Sequence, residues 1–218
     1  MNSVRAEFTE KKEEANLLLT LTNEVSALEN GVIKAAILKS TFVLLLYNMI
    51  ESTMSMIFER IHEKIATEHY QNLAPELQKI WVDFFFVKNS PDLFHKHLDK
   101  TISQNLAFPN LRDFTARIKL FSGNLDSKKL HGLLKQYGIG VLQTPGQERL
   151  LFVKNKRNKI AHGEEAFKDS CRDLTNSDLT EIRDAVFSAL SSIVEQADVY
   201  LTEKKYVLQV NSMPVVVE

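Results

Sequence analysis

Val32-Ile33-Lys34-Ala35-Ala36-Ile37-Leu38-Lys39-Ser40-Thr41-Phe42-Val43-Leu44-Leu45-Leu46-Tyr47-Asn48-Met49-Ile50-Glu51 opens the segment that decides the fold. It holds no Gly or Pro, and the pattern predicts one long helix over residues 32–67. Its middle, Thr41 to Tyr47, is apolar all round, which implies burial on several sides. That suits a central helix of a bundle, or one shared across a subunit interface. Lys34, Lys39, Asn48 and Glu51 interrupt it, so its unbroken apolar run is too short to span a bilayer.

Helices follow on both sides of this segment. Residues 4–29 read as a charged amphipathic helix with Leu18, Leu21, Val25 and Leu28 as its apolar stripe. Asn30-Gly31 breaks it from the next. Residues 74–87 predict a third helix, with Trp81 and Phe84-Phe85-Phe86 as core, because each ring brings a large buried area. Asn89-Ser90-Pro91 predicts a further helix start. Residues 105–125 give mixed signals around Pro109, Gly123 and Asn124. Residues 127–137 predict a short helix capped by Gly138. Pro145-Gly146-Gln147-Glu148 starts a helix that ends near His162. A polar connection over 163–176 follows. Asp178 with Glu181 predicts a capping box, and Ile182, Val186, Leu190, Ile193 and Ala197 line one face of a last helix running to about Lys204. The tail from Tyr206 to Val217 is β-prone and reads as a short strand or an arm. With 7 Gly and 5 Pro in 218 residues, the expectation is one all-α domain, its core over roughly 5–206 and a tail over 207–218.

The charge is nearly balanced, 27 Lys+Arg against 28 Asp+Glu. No global basic field draws in nucleic acid, so any RNA surface has to be local or formed between subunits. One cysteine, Cys171, excludes an intrachain disulfide and fits a reducing compartment. The N-terminal residues carry no apolar signal core. The reading is a soluble cytoplasmic protein with no membrane partner.

Arg157-Asn158-Lys159-Ile160-Ala161-His162, followed by Gly163, is the segment that carries chemistry. A permanent cation, an amide and an imidazole lie within six residues. Arg holds a phosphate through a bidentate fork. His moves protons near neutral pH. Together they suit phosphodiester cleavage without a metal. A plainer reading stands beside it: cations at a helix C-terminus meet the negative end of the dipole, and Gly commonly follows.

Other motifs are weak. His95-Lys96-His97 do not share a helix face at i, i+2. His62 and His69 have no carboxylate cluster to complete a metal site. Gly138-x-Gly140 lacks the rest of a dinucleotide fingerprint. No metal and no cofactor are expected.

The chain resembles the HEPN superfamily of helical ribonucleases and nucleotide-binding proteins. Arg157 to His162 matches its Arg-x4-His motif, with the polar residue after the Arg supplied by Asn158. Tyr47-Asn48-Met49-Ile50-Glu51-Ser52 is similar to the family's long helix bearing an acidic residue. Ser122-Gly123-Asn124-Leu125-Asp126, Tyr137-Gly138-Ile139, His162-Gly163-Glu164 and Phe167 are similar to the bacterial RiboL/PSP-like branch. The resemblance implies a helical bundle that dimerises with two motifs facing each other. It implies metal-independent RNA cleavage by 2′-hydroxyl attack, leaving 2′,3′-cyclic phosphate and 5′-hydroxyl ends, in phage defence or as a toxin. It also implies an antitoxin or neighbouring defence protein as a possible partner. A non-catalytic module binding a protein or nucleotide is the alternative.

The residues fit that chemistry. His162 can take the 2′-hydroxyl proton or give one to the leaving oxygen. Arg157 can face the charge gathering on phosphorus. Asn158 can orient His162 or donate to a phosphate oxygen. Glu51 fixes Arg157 or the imidazole tautomer, or is a plain ion-pair partner. Asn48 is read as a supporting helix contact, and Lys159 and Glu164 flank the motif. In members paired with a nucleotidyltransferase a Tyr lies two residues after the His. Glu164 stands there in this chain, so control through that Tyr is not expected. An ideal helix would splay Arg157 and His162 by about 140°, so the site needs the helix to end at Gly163 or a second subunit.

Overall fold

The computed structural model describes residues 1–87, 106–121 and 123–208. The helix expected from Asn89, the His95–His97 pair, Ser122 and most of the tail lie outside them. Among the described residues there are eight α-helices and no sheet. We number them α1 (Asn2–Ser26), α2 (Val32–Ile65), α3 (Pro75–Val82), α4 (Leu111–Arg117), α5 (Ser127–Gln136), α6 (Gln147–Ala161), α7 (Phe167–Ser170) and α8 (Asn176–Thr202).

α2 is the axis of the bundle. Phe42, Val43, Leu46, Tyr47, Ile50, Met54, Ile57, Phe58 and Ile61 are fully buried along it. By length and composition α2 passes for a membrane span, although its unbroken apolar run does not. Half of its most apolar window is buried inside the fold, where α1, α6, α7 and α8 pack on it.

α1 runs antiparallel to α2. Arg60 Nη2 donates to Ser3 Oγ at 3.1 Å and Lys11 Nζ to Ser52 Oγ at 2.7 Å. The buried stripe of α1 is Val4, Phe8, Ala15, Leu19 and Thr22. That corrects the expected stripe: Leu21 and Leu28 are exposed, and Leu18 and Val25 are only half-buried. The C-terminal half of α1 is leucine-rich on two faces. The N-terminal half has few apolar residues, and Val4, Phe8 and Ala15 set which face turns inward.

α8 lies against α1 in the opposite sense, with Arg5 on Asp198 at 2.7 Å. Its predicted face, Ile182, Val186, Leu190, Ile193 and Ala197, is buried in full. Its capping box is one turn earlier than expected. Thr175 Oγ1 accepts from the Asp178 N–H at 3.1 Å, and the Asp178 carboxylate accepts from the Thr175 N–H at 2.8 Å. Both positions satisfy the capping pattern, but Glu181 is drawn away to pair with Arg149.

The predicted third helix is α-helical only to Val82. Asp83 to Val87 widen into a π turn, which sets Trp81 against Phe85 and Phe86. Gly138 follows α5 at φ +70°, and the Ile139 N–H bonds to the Leu134 carbonyl at 2.9 Å. The start of the tail forms one antiparallel bridge, Val207 to Leu73.

His62 of α2 clamps this end of the bundle. It is 1% exposed and lies among Phe108, Phe114 and Tyr137. Nδ1 meets the Pro109 carbonyl at 2.7 Å and Nε2 meets the Tyr137 hydroxyl at 2.9 Å. A carbonyl only accepts, so Nδ1 carries the proton and Nε2 accepts from the phenol. Burial pushes the imidazole pKa down to about 4.

Candidate functional site

α6 begins at Gly146, whose φ of +72° only glycine adopts freely. It runs antiparallel to α2: Arg157 lies beside Tyr47, and ten residues later the Phe167 carbonyl accepts from Ser40 Oγ at 2.6 Å. The helix therefore carries its C-terminus towards the start of α2.

There the backbone fixes the end. The Gly163 N–H bonds to the Ile160 carbonyl at 3.1 Å and the Glu164 N–H to the Lys159 carbonyl at 2.8 Å. This pair of bonds is the Schellman pattern, with Gly163 at φ +71°. His162 is the residue that caps the helix, and it is exposed. Among the described residues its imidazole has no hydrogen-bond or ion-pair partner. The helix ends where the spacing argument required.

Arg157 is held from several sides. Its guanidinium lies 5.0 Å from the Tyr47 ring centroid, a cation–π contact worth ~0.5–2 kcal/mol. Nη1 donates to Asn158 Oδ1 at 3.1 Å. Asn158 Nδ2 in turn donates to Asn124 Oδ1 at 2.9 Å. Gly123 packs so closely that a Cβ there would lie 2.6 Å from Nη1. The loop 123–126 thus grips both polar residues of the motif. Lys154 on Asp126 at 3.1 Å ties the same loop to α6.

Tyr47 joins this loop to α2. Its hydroxyl accepts from the Leu125 N–H at 3.2 Å and lies 3.1 Å from Glu51 Oε1, to which it donates. Burial chiefly pushes the phenol up to about 12, against the Leu125 N–H bond and the Arg157 charge, which lower it. The phenol therefore stays protonated near neutral pH. Glu51 thus meets Tyr47, the residue whose ring lies under the Arg157 guanidinium. Among the described residues it pairs with neither Arg157 nor His162, which leaves neither sequence reading of Glu51 as drawn.

The remaining sequence candidates divide. Asn48 is exposed and, among the described residues, makes no hydrogen bond or ion pair with the motif. Lys159 is exposed and bonds Glu165 Oε1 at 2.7 Å. Glu164 is exposed, and its backbone N–H closes the turn after α6. Glu165, which the sequence reading passed over, takes Lys156 at 2.8 Å, Lys159 and the Ser170 hydroxyl at 2.7 Å. These bonds hold its carboxyl down at about 2. The signal was present as two lysines at i, i+3 with an acid shortly beyond, but local spacing does not show that the loop folds back. Among the described residues no group of three or more His, Cys, Asp or Glu gathers as a metal-binding cluster.

Gly123→Ala should cost about 1–2 kcal/mol from the left-handed backbone alone. It should also push Arg157 off the Tyr47 ring. Urea denaturation would read the first effect. A wild-type midpoint would show that the left-handed position carries no such cost.

In comparisons with known proteins, no curated relative and no solved structure matched. A family model described as HEPN_MAE_28990-like HEPN matches residues 3–206. The match covers nearly the whole chain, including α2, the loop before α5 and the Arg157–His162 segment, and the chain therefore belongs to the HEPN family.

Proposed function

We propose that this protein is a metal-independent endoribonuclease. The 2′-hydroxyl of RNA attacks the adjacent phosphorus, and the products carry 2′,3′-cyclic phosphate and 5′-hydroxyl ends. His162 moves the proton, Arg157 faces the developing charge, and Asn158 holds Arg157 in place. One observation carries the reading: a fixed, half-buried cation lies five residues before an exposed imidazole at the end of the same helix, and that imidazole has no hydrogen-bond or ion-pair partner among the described residues. Positive charge already in place where charge develops needs no reorganisation during the reaction. A role in phage defence or as a toxin, in the cytoplasm and with an antitoxin or neighbouring defence protein, is part of this proposal.

The test is incubation of the purified protein with total RNA in EDTA, followed by chemical analysis of the new ends. Cyclic phosphate ends support the reading. Intact RNA, or 3′-hydroxyl ends, would sink it.

The working unit in this proposal is a homodimer with the two motifs near the two-fold axis. Exposed apolar residues cluster at the tip of the α1–α2 hairpin. Ile33 is 64% and Ile37 41% exposed, with Leu17, Leu21, Leu28 and Val32 nearby in sequence. α6 delivers His162 towards this end of α2. An uncovered apolar patch of this kind commonly meets a partner, and a symmetric pair is the commonest oligomer. Ile33→Glu with Ile37→Glu should convert the dimer to a folded monomer in light scattering. A wild type that is monomeric at micromolar concentration would refute the dimer.

The alternative is a non-catalytic module that binds a protein or nucleotide. What favours it is that every cation of α6 already has a partner within the chain, which lowers affinity for phosphates.

A further inference from the structure

The paired cations of α6 are not equivalent. Arg149 and Lys154 each meet one carboxylate on a neighbouring element, Glu181 and Asp126. Lys156 and Lys159 share one. Glu165 Oε2 takes Lys156 Nζ at 2.8 Å and Ser170 Oγ at 2.7 Å, and Oε1 takes Lys159 Nζ at 2.7 Å. Two ammonium groups and a hydroxyl thus converge on two oxygens that share one negative charge. A phosphodiester presents the same pattern: two non-bridging oxygens and one charge.

The position is as informative as the donors. Lys156 precedes Arg157 and Lys159 lies between Arg157 and His162, so the trio sits beside the motif. Ser170 closes it from α7. Glu165 is carried on the short connection after Gly163, where φ is +71° and a Cβ would meet nothing within 4 Å. There is room for that connection to shift.

We infer that Lys156, Lys159 and Ser170 form a phosphodiester-binding subsite for an RNA strand, which Glu165 occupies as an internal stand-in for the phosphate. The inference rests on the ribonuclease reading for the identity of the ligand. It does not rest on it for the cradle itself. In the free protein Glu165 cancels one of the two lysine charges of the cradle, so stray polyanions are attracted less. A strand engaged at Arg157 and His162 places its neighbouring phosphate against the cradle and displaces the carboxylate. Because Glu165 keeps its charge down to acid pH, the displacement depends on a competing anion and not on protonation.

The sign of the effect separates this from a structural tether. Glu165→Gln keeps the shape and one acceptor oxygen but removes the charge. Binding of a fluorescent single-stranded RNA is measured in the His162→Ala background, so that the strand stays whole. Glu165→Gln should bind several-fold more tightly. Its slope of log K against log salt should steepen by about 0.7 for one added phosphate contact. Adding Lys156→Gln and Lys159→Gln should abolish the gain. A tether alone predicts the reverse, with a loosened α6 end and unchanged or weaker binding, and that result at an intact melting transition overturns the inference. If Glu165→Gln does not fold, Glu165→Thr takes its place in the same comparison.

A second arm uses inorganic phosphate and no RNA. Phosphate should raise the melting temperature of the Glu165→Gln protein but not of the protein that also lacks both lysines. If no variant binds RNA yet phosphate stabilises Glu165→Gln in this way, the cradle stands and the ribonuclease reading falls. If phosphate has no such effect, the cradle is overturned.

Discussion

His162→Ala is expected to lower RNA cleavage by about 10²–10⁴-fold, the usual worth of a positioned proton-transfer group. The melting transition should stay at the wild-type value. The imidazole is exposed and touches no other described side chain by hydrogen bond or ion pair, so its removal opens no core cavity. The turn that seats it is made by the backbone of Lys159, Ile160, Gly163 and Glu164. Arg157→Ala should lose cleavage comparably, but with a stability cost, because the Tyr47 ring loses its cation and Asn158 its donor. Arg157→Lys should not restore the rate, since an ammonium cannot present a planar fork. Single-turnover rates beside thermal melts decide the matter. If the wild type cuts no RNA, and His162→Ala unfolds or loses a binding partner, the interaction-module reading replaces the ribonuclease.

Acid should destabilise the fold in a window set by His62. Its folded pKa is lowered to about 4 from the ordinary 6.5, so between those values the unfolded chain binds the extra proton. Stability then rises with pH across the window and is lost as pH falls from about 6.5 to about 4. Below about 4 the native imidazole is protonated as well and this slope ends. A shift of that size is worth about 3 kcal/mol. Glu165 contributes in the same direction but later. Its depressed carboxyl pKa gives stability that is present above about 4.5 and lost as pH falls towards 2. Urea denaturation across pH 7 to 4 reads the first window. His62→Gln should flatten it, leaving only the acid limb. An unchanged slope in that variant would show that another group sets it.

The helices that could be read from sequence are those whose register one neighbour enforces. α2 and α8 carry their buried faces along their whole length, so a period of 3.6 was enough. α1 was misjudged by one helical position. Its leucine-rich half offers two apolar faces, and the choice between them depends on packing with α2 and α8. The capping box of α8 was misplaced by one turn for a similar reason: two matching patterns stood three residues apart, and a long-range pair from Arg149 to Glu181 took one out of play.

Within the candidate site, the order Arg157, Asn158, His162, Gly163 was legible because it is local. Its supports were not. Tyr47 lies 110 residues before Arg157, and Asn124 lies 34 residues before Asn158. Glu51 stands out in the sequence as an acid on the long helix, and its contact is with a phenol on that same helix. A sequence shows which groups can bond. It does not show which loop arrives first.

The Schellman turn after α6 has a consequence for how this chain can change. The seat of residue 162 is built from amide groups and from Gly163, and the side chain placed there is spectator to folding. Replacing it leaves the hydrogen bonds of that turn in place and, in the proposed ribonuclease, removes the proton carrier. In the proposed ribonuclease, catalysis and architecture are therefore separable at one codon. On that proposal a silent copy, able to bind yet unable to cut, lies a single substitution away, and so does the reverse step.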